Sequence, residues 1–384
     1  MTCLFEQFRQ RMPVAHSLAY LDHAAVGPLS QPAHDAIAEW NNEATYLGDS
    51  LWPKWNRRVQ RLRETAANLI HADPSEVAIV ANTTTGINLV ASGLPWKAGD
   101  NVVLPAGEFP SNLFPWMWLE RRGVEIRQVP LGSAGAVDLN RLDEACDQNT
   151  RVVTASWVGF ASGYRLNPQQ LAEVAHRHGA YCFLDAIQGM GVFPLDVKAS
   201  GVDFLAADGH KWMLGPEGAG LFYARRELLD ELQPQLIGWN SVRDAFNYSS
   251  PEMTLKDSAA RFEGGSQNMV GVTGLLASLE LLVGSGLASS QDSLAQRVLE
   301  TSESLCRRLE EIGATVHSDR APTHASGIVS FDPPSGSPET IRTQLVQQGI
   351  ILSCRGGRLR CAVHAYNNND DVDRLIRALR CLAR

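Results

Sequence analysis

The chain has 384 residues, enough for two domains with full cores. Its 44% hydrophobic and 20% charged residues are those of a soluble globular protein, and a net charge of −8 excludes the basic stripe of a nucleic-acid binder. There is no apolar run near the ~18 residues of a membrane span, no basic-then-apolar export signal and no short paired spacing among the seven cysteines, so the expected setting is the cytoplasm, with free thiols and no membrane partner.

In chain order, residues 1–19 predict a short helix and a lead-in. Helical spacing follows over 28–45, with Ala33, Ile37 and Trp40 on one face, and over 57–70, where Asp73-Pro74 ends it. A predicted strand at 77–80 runs into Asn82-Thr83-Thr84-Thr85-Gly86 and an apolar helix from Ile87. That order describes an anion site, because N–H groups at a helix N-terminus point outward and the helix dipole favours negative charge. A plain helix cap has the same signature.

The strand at 100–104 ends at Gly107-Glu108-Phe109-Pro110. A helix at 116–123 and strands at 124–129 and 151–157 follow. A helix at 168–179 leads to a strand at 180–185. This alternation predicts a mostly parallel sheet covered on both faces. A strand is expected at 219–223, loop composition at 237–256, and an apolar helix from Val270. Beyond it the pattern is a long helix at 289–312, a strand at 327–331, a helix at 338–349, strands at 350–353 and 359–363, and a last helix at 370–382. The expected architecture is therefore α/β, a large domain over 16–262 and a smaller α+β domain over 263–384, joined by the segment 1–15.

Two residues carry the chemistry. Lys211 follows an apolar run, 202–207, and stands among Gly209, Gly215 and Pro216, so a loop is expected there. A lysine amine, once deprotonated, attacks carbonyls. Asp185 lies 26 residues earlier, at the carboxyl end of a buried strand, where open α/β sheets place ligand groups. A carboxylate there is costly to bury without a cation, and a protonated pyridine nitrogen supplies one. A lysine Schiff base with an aspartate partner is the arrangement pyridoxal phosphate needs. Asp185 would serve equally as a helix cap after the strand.

With these residues stand Tyr20-Leu21-Asp22-His23-Ala24-Ala25, Asn82-Thr83-Thr84-Thr85-Gly86, Gly107-Glu108-Phe109-Pro110-Ser111-Asn112, Gly209-His210-Lys211-Trp212, Arg261-Phe262-Glu263-Gly264-Gly265-Ser266-Gln267-Asn268, and Arg358-Leu359-Arg360 before His364-Ala365-Tyr366-Asn367. Together and in this order they resemble the class V aminotransferases, the fold-type I pyridoxal-phosphate enzymes that include cysteine desulfurases, selenocysteine lyases and isopenicillin N epimerase-like proteins.

The resemblance implies pyridoxal phosphate held by Lys211, which also acts as the base at the substrate α-carbon. It implies Asp185 on the ring nitrogen, the amides of Thr84 and Thr85 with His210 on the phosphate, and Gln188 or Ser162 on the phenolic oxygen. Phe109 is implied to stack on the ring in place of the desulfurases' usual histidine, and Ser266 to reach the phosphate of a partner subunit, making a homodimer with shared sites. Arg360, with Arg355 nearby, is implied to bind the α-carboxylate of an amino acid substrate, and His23 to face that substrate. Asp208 would repel the phosphate and is expected to turn away and pair.

The expected activity is transamination. The alternatives are a C–S β-lyase or an epimerase, and outside enzymes a non-catalytic binding relative. Persulfide-forming desulfurases carry a cysteine on a mobile loop before the carboxylate arginine. Here Arg355 and Arg360 are separated by only Gly356, Gly357, Arg358 and Leu359, and Cys354 and Cys361 read as buried strand residues. No metal-ligand motif, Walker loop or dinucleotide glycine fingerprint is present, and no metal is expected.

Overall fold

The computed structural model describes residues 3–287 and 293–383. Its thirteen strands are β1 (Ala19–Tyr20), β2 (Val77–Val80), β3 (Asn101–Pro105), β4 (Glu125–Val129), β5 (Thr150–Ser156), β6 (Tyr181–Asp185), β7 (Phe204–Asp208), β8 (Gly220–Ala224), β9 (Thr315–Val316), β10 (Ile328–Asp332), β11 (Ile350–Ile351), β12 (Ser353–Arg355) and β13 (Arg358–Ala362). Seven form the central sheet in the order β2-β8-β7-β6-β5-β3-β4. The pairs among β7, β6, β5, β3 and β4 are parallel; β8 runs antiparallel to both its neighbours. Strands β2, β6, β7 and β8 are buried almost throughout, as a sheet covered on both faces requires.

This topology sets the site. With β8 reversed, β2 runs in the same sense as β7. The carboxyl ends of β2, β3, β5, β6 and β7 therefore share one sheet edge, with Ser156 beside Asp185 and Asp208 two residues beyond Ala206, the partner of Asp185. One sheet face packs on Leu62, Ala66, Leu275 and Leu279 from the helices Trp52–Leu69 and Met269–Gly284. The other packs on Ile87, Val90 and Trp116.

A smaller antiparallel sheet, β12-β13-β10-β9, packs on the helices Leu294–Glu310 and Asn369–Leu382. Strand β1 pairs in parallel with β11, joining the early chain to the late chain. The helix Leu4–Gln10 docks there too. Its Arg9 pairs with Asp371 at 2.7 Å, and Phe8 meets Tyr366 edge-on.

Most expected elements occur within a few residues of their expected bounds. The helix expected from Ile87 starts at Thr83, because Asn82 caps it. The helix expected at 116–123 is one α-turn, Phe114–Met117, continued as 3-10 turns. Of the helix expected at 289–312, residues 289–292 lie outside the described residues, and the remainder forms Leu294–Glu310. Among the described residues, no helix is long and apolar enough to cross a membrane.

Candidate active site

Lys211 sits in a tight loop between β7 and β8. The Gly215 amide donates to the Gly209 carbonyl at 2.9 Å and closes the loop. Leu214 holds a left-handed backbone, φ 55°, while fully buried. Such a conformation costs a non-glycine residue about 1–3 kcal/mol. It persists because the Leu214 amide donates to Lys211 O and its carbonyl accepts from Ser278 Oγ at 2.6 Å. The early chain closes over the loop: the Gly27 amide donates to His210 O at 2.6 Å, and a Cβ at Gly27 would stand 2.2 Å from Lys211 O. Only glycine fits there.

Lys211 and Asp185 line one cavity of about 410 Å³, with Asn82, Thr83, Thr84, Phe109, Gln188 and Arg360 among its other walls. That volume lies within the ~300–1,000 Å³ of small-molecule sites. Lys211 is 7% exposed and Asp185 2%. Burial lowers the Lys211 ammonium to about 8 against the pull of Asp185, and Arg360 lowers it further. Burial raises the Asp185 carboxyl to about 7; the nearby Glu108 adds to the rise, while an amide from Ile187 (3.1 Å to Oδ1) and Lys211 oppose it. The cavity thus holds an amine close to neutrality and a carboxylate short of cations, the two groups that a pyridine aldehyde would satisfy at opposite ends.

The anion end fits as well, with one change. Asn82 Oδ1 accepts from the Thr85 amide at 2.8 Å, so that amide is spent on the helix cap. Thr85 is therefore corrected out of the phosphate set. The amides free of helical partners belong to Thr83 and Thr84, both on the cavity wall. Thr84 Oγ1 donates to Ser111 Oγ at 2.8 Å, drawing a second hydroxyl to the same wall. His210 lines the cavity, and its Nδ1 stands 3.0 Å from Asp208 Oδ2 but out of line for a hydrogen bond. Asp208 stands beside His210 but lines the cavity rather than turning away, and its Oδ1 is buried without a partner. The unspent His210 Nδ1, beside the unspent helix amides, suits a phosphate group, whereas the Asp208 carboxylate opposes one.

The remaining predicted residues divide. Phe109 is on the wall, its ring centroid 5.4 Å from Lys211 Nζ and edge-on to Phe160. Gln188 is there too, with Nε2 donating to Ala24 O at 3.0 Å and Oε1 accepting from Trp212 Nε1 at 2.7 Å. Ser162 faces a neighbouring cavity of about 310 Å³ instead. Arg360 is 1% exposed; its Nε donates to Ser353 Oγ, Nη1 to Phe160 O and Nη2 to Asp22 Oδ1 at 3.0, 2.6 and 3.2 Å. Three of its five N–H groups are engaged, leaving two for a substrate carboxylate. Arg355 borders both cavities from the exposed hairpin end.

His23 is a correction. It is fully buried, with Nδ1 on Ala362 O at 2.8 Å and Nε2 on the Tyr366 hydroxyl at 2.7 Å. Both ring nitrogens are engaged inside the protein and neither meets the cavity. Ser266 lies outside this cavity, exposed, beside Trp52 and Trp239 in a separate one of about 480 Å³. Trp55 is core.

Sequence reasoning passed over Glu108, Asp22 and Trp212. Glu108 accepts from the Ser156 amide at 2.7 Å and from its hydroxyl, so it ties the Phe109 loop to the end of β5. Burial raises its carboxyl, offset by these hydrogen bonds. A Gly-Glu pair closing a buried strand was its only signal. Asp22 orders Arg360, and no local pattern connects residues so far apart.

The chain matches the family model for class-V aminotransferases over residues 19–378. A probable cysteine desulfurase of Methanothermobacter thermautotrophicus is 32% identical over 392 residues, 96% of each chain. Two solved structures of the protein C-DES are similar. One is a mutant with glycine covalently linked to its PLP cofactor (TM-score 0.89, 26% identity, 97% of this chain and 98% of that one). The other is the cystine C–S lyase C-DES with its reaction product cysteine persulfide (TM-score 0.87, 25% identity, 96% and 99%).

Proposed function

Because the chain belongs to the class-V aminotransferase family of pyridoxal-phosphate enzymes, we propose that it is a C–S lyase. It would cleave the β-carbon–sulfur bond of a cysteine-type amino acid and release the sulfur as a small molecule. The relatives turn the reading from transamination, the first expectation, to this alternative.

One observation carries the proposal: β12 and β13 are joined by the two-residue turn Gly356-Gly357, both with positive φ. No loop exists there to carry a cysteine to the substrate. Cys361 is fully buried, and burial with the Glu339 contact at 3.5 Å raises the Cys354 thiol. Neither is poised as a thiolate to accept sulfur. The 310 Å³ cavity next to Phe160 gives a leaving group room to depart.

Bound pyridoxal phosphate supplies the electron sink that makes the α-proton of an amino acid acidic. The chain's residues do the rest. Asp185 would keep a proton on the ring nitrogen. Thr83, Thr84 and His210 would hold the phosphate, Phe109 would cover the ring and Gln188 would meet the phenolic oxygen. The two free N–H groups of Arg360 hold the substrate carboxylate, with Arg355 at the mouth. Lys211 anchors the cofactor, then takes the α-proton on Nζ. The overall change is RS–CH2–CH(NH3+)COO− plus water giving RSH, pyruvate and ammonium. Cystine, whose leaving group is itself a persulfide, is the substrate best matched to a site with no sulfur-accepting thiol. Ser266 would act at the phosphate of a second copy, in a cytoplasmic homodimer, with 16–262 and 263–384 as its two domains.

The test is an amino-acid panel with three readouts. Pyruvate with sulfide or persulfide from cysteine or cystine supports the lyase. Keto acid with an aminated cofactor, or loss of optical rotation without pyruvate, would overturn it.

A further inference from the structure

Resting on the cofactor reading above, we propose that Trp212 is a positioning residue that decides which end of the Gln188 amide the cofactor meets. A glutamine amide has two unlike ends, an accepting oxygen and a donating nitrogen. Nothing intrinsic to the side chain chooses between them. Here both neighbours are single-sense. The Trp212 indole can only donate, and it donates to Oε1 at 2.7 Å. The Ala24 carbonyl can only accept, and it accepts from Nε2 at 3.0 Å. One orientation satisfies both, and the inverted amide would satisfy neither.

The two partners also lie on different sides. Ala24 is on the cavity wall with Gln188 and Lys211, whereas Trp212 is 1% exposed and forms no part of it. The nitrogen end is therefore the one offered to the cavity, with one N–H still free. Trp212 is itself held firmly. Its carbonyl accepts from His364 Nε2 at 3.1 Å, and its ring stacks on the His364 ring at 5.9 Å and 28°. His364 Nδ1 accepts from the Ala365 amide at 2.9 Å, so the proton of that neutral ring stands on Nε2. The residue that follows the anchoring lysine thus favours one polarity of the amide on the wall of the same cavity.

An N–H directed at an oxygen on the cofactor ring stabilises negative charge there and lowers the proton affinity of the lysine-linked nitrogen. Without the indole N–H only the Ala24 carbonyl still favours this orientation, so the inverted amide, whose oxygen repels that charge, becomes more populated. The experiment uses the holoenzyme and titrates its visible absorption band with pH. The primary variant places 3-benzothienylalanine at position 212, which keeps the ring shape and lacks only the N–H. Trp212→Phe and Gln188→Ala accompany it. The expected result is an upward shift of the band's transition by about one pH unit in all three, since one hydrogen bond to a charged group is worth roughly that much. Cofactor release, followed by dilution, is expected to quicken in parallel. A shift in Gln188→Ala with none in either 212 variant would overturn the positioning role. No shift in any variant would overturn it together with the Gln188 contact. A wild-type protein without a titrating visible band would instead bring down the cofactor reading itself. A purely structural Trp212 would lower Tm and leave the transition in place.

Discussion

Replacing Asp185 by Asn is expected to stabilise the cofactor-free protein and destabilise the holoenzyme. Burial raises the carboxyl from 3.8 to about 7, roughly three units. At about 1.4 kcal/mol per unit, ionised Asp185 costs the empty protein up to ~4 kcal/mol. A raised carboxyl binds its proton more tightly when folded, so its favourable contribution is full below pH 3.8 and lost as pH climbs through about 7. Asn keeps the acceptor for the Ile187 amide, now 3.1 Å from Oδ1, and has no charge to bury. The value of about 7 already includes the attraction to Lys211, which Asn gives up. The net expectation is a difference between Asn and Asp that grows by about 2.5 kcal/mol from pH 5 to pH 8, a Tm change of about 3 °C in a chain of this size. The assay is calorimetry of protein stripped of cofactor at both pH values, repeated with cofactor restored. With it, the order should reverse, because the ring nitrogen has lost its counter-charge. If the stripped Asn variant gains nothing on going from pH 5 to pH 8, the buried carboxylate is not under strain and the account of the ring-nitrogen site fails.

Lys211→Ala should abolish the borohydride-fixed mass increment on the chain, read by mass spectrometry. In the cofactor-free protein, acylation of Lys211 should rise with a midpoint near its lowered pKa of about 8, below an ordinary lysine at 10.5; a midpoint near 10.5 would refute the effect of burial. Arg360→Lys removes the fork, so KM for the amino acid should rise about ten- to a hundredfold at a cost of ~1.5–3 kcal/mol per charged hydrogen bond. An unchanged KM would place the carboxylate elsewhere. Cys354→Ser should leave pyruvate formation from cystine intact, and loss of sulfur release alone would restore a thiol-relay role.

What could be read in the sequence was what local chemistry dictates. Asp185 and Lys211 stood out because a buried strand breaks beside each, and the topology then put both at the same sheet edge. Thr85 was misread because three threonines look alike along the chain; the cap bond from its amide to Asn82 distinguishes it, and the spacing of an N-cap residue to N3 was the available clue. His23 was misread because its partners, Ala362 and Tyr366, lie over 300 residues away. The same distance hid the Asp22–Arg360 pair. Arg360 came into view through the family resemblance, and the structure adds that it lines the same cavity as Lys211 and Asp185.

The pairing of β1 with β11 has a consequence for how the protein is made. Residues 19–27, which reach the lysine loop through Gly27, are made before that loop, yet the strand partner of Ala19–Tyr20, Ile350–Ile351, is made long after it. Closure over the Lys211 amine thus waits until synthesis has passed Ile351. A polypeptide cut before Ile350 would complete the central sheet, keep Lys211 and Asp185, and still leave that amine open to water.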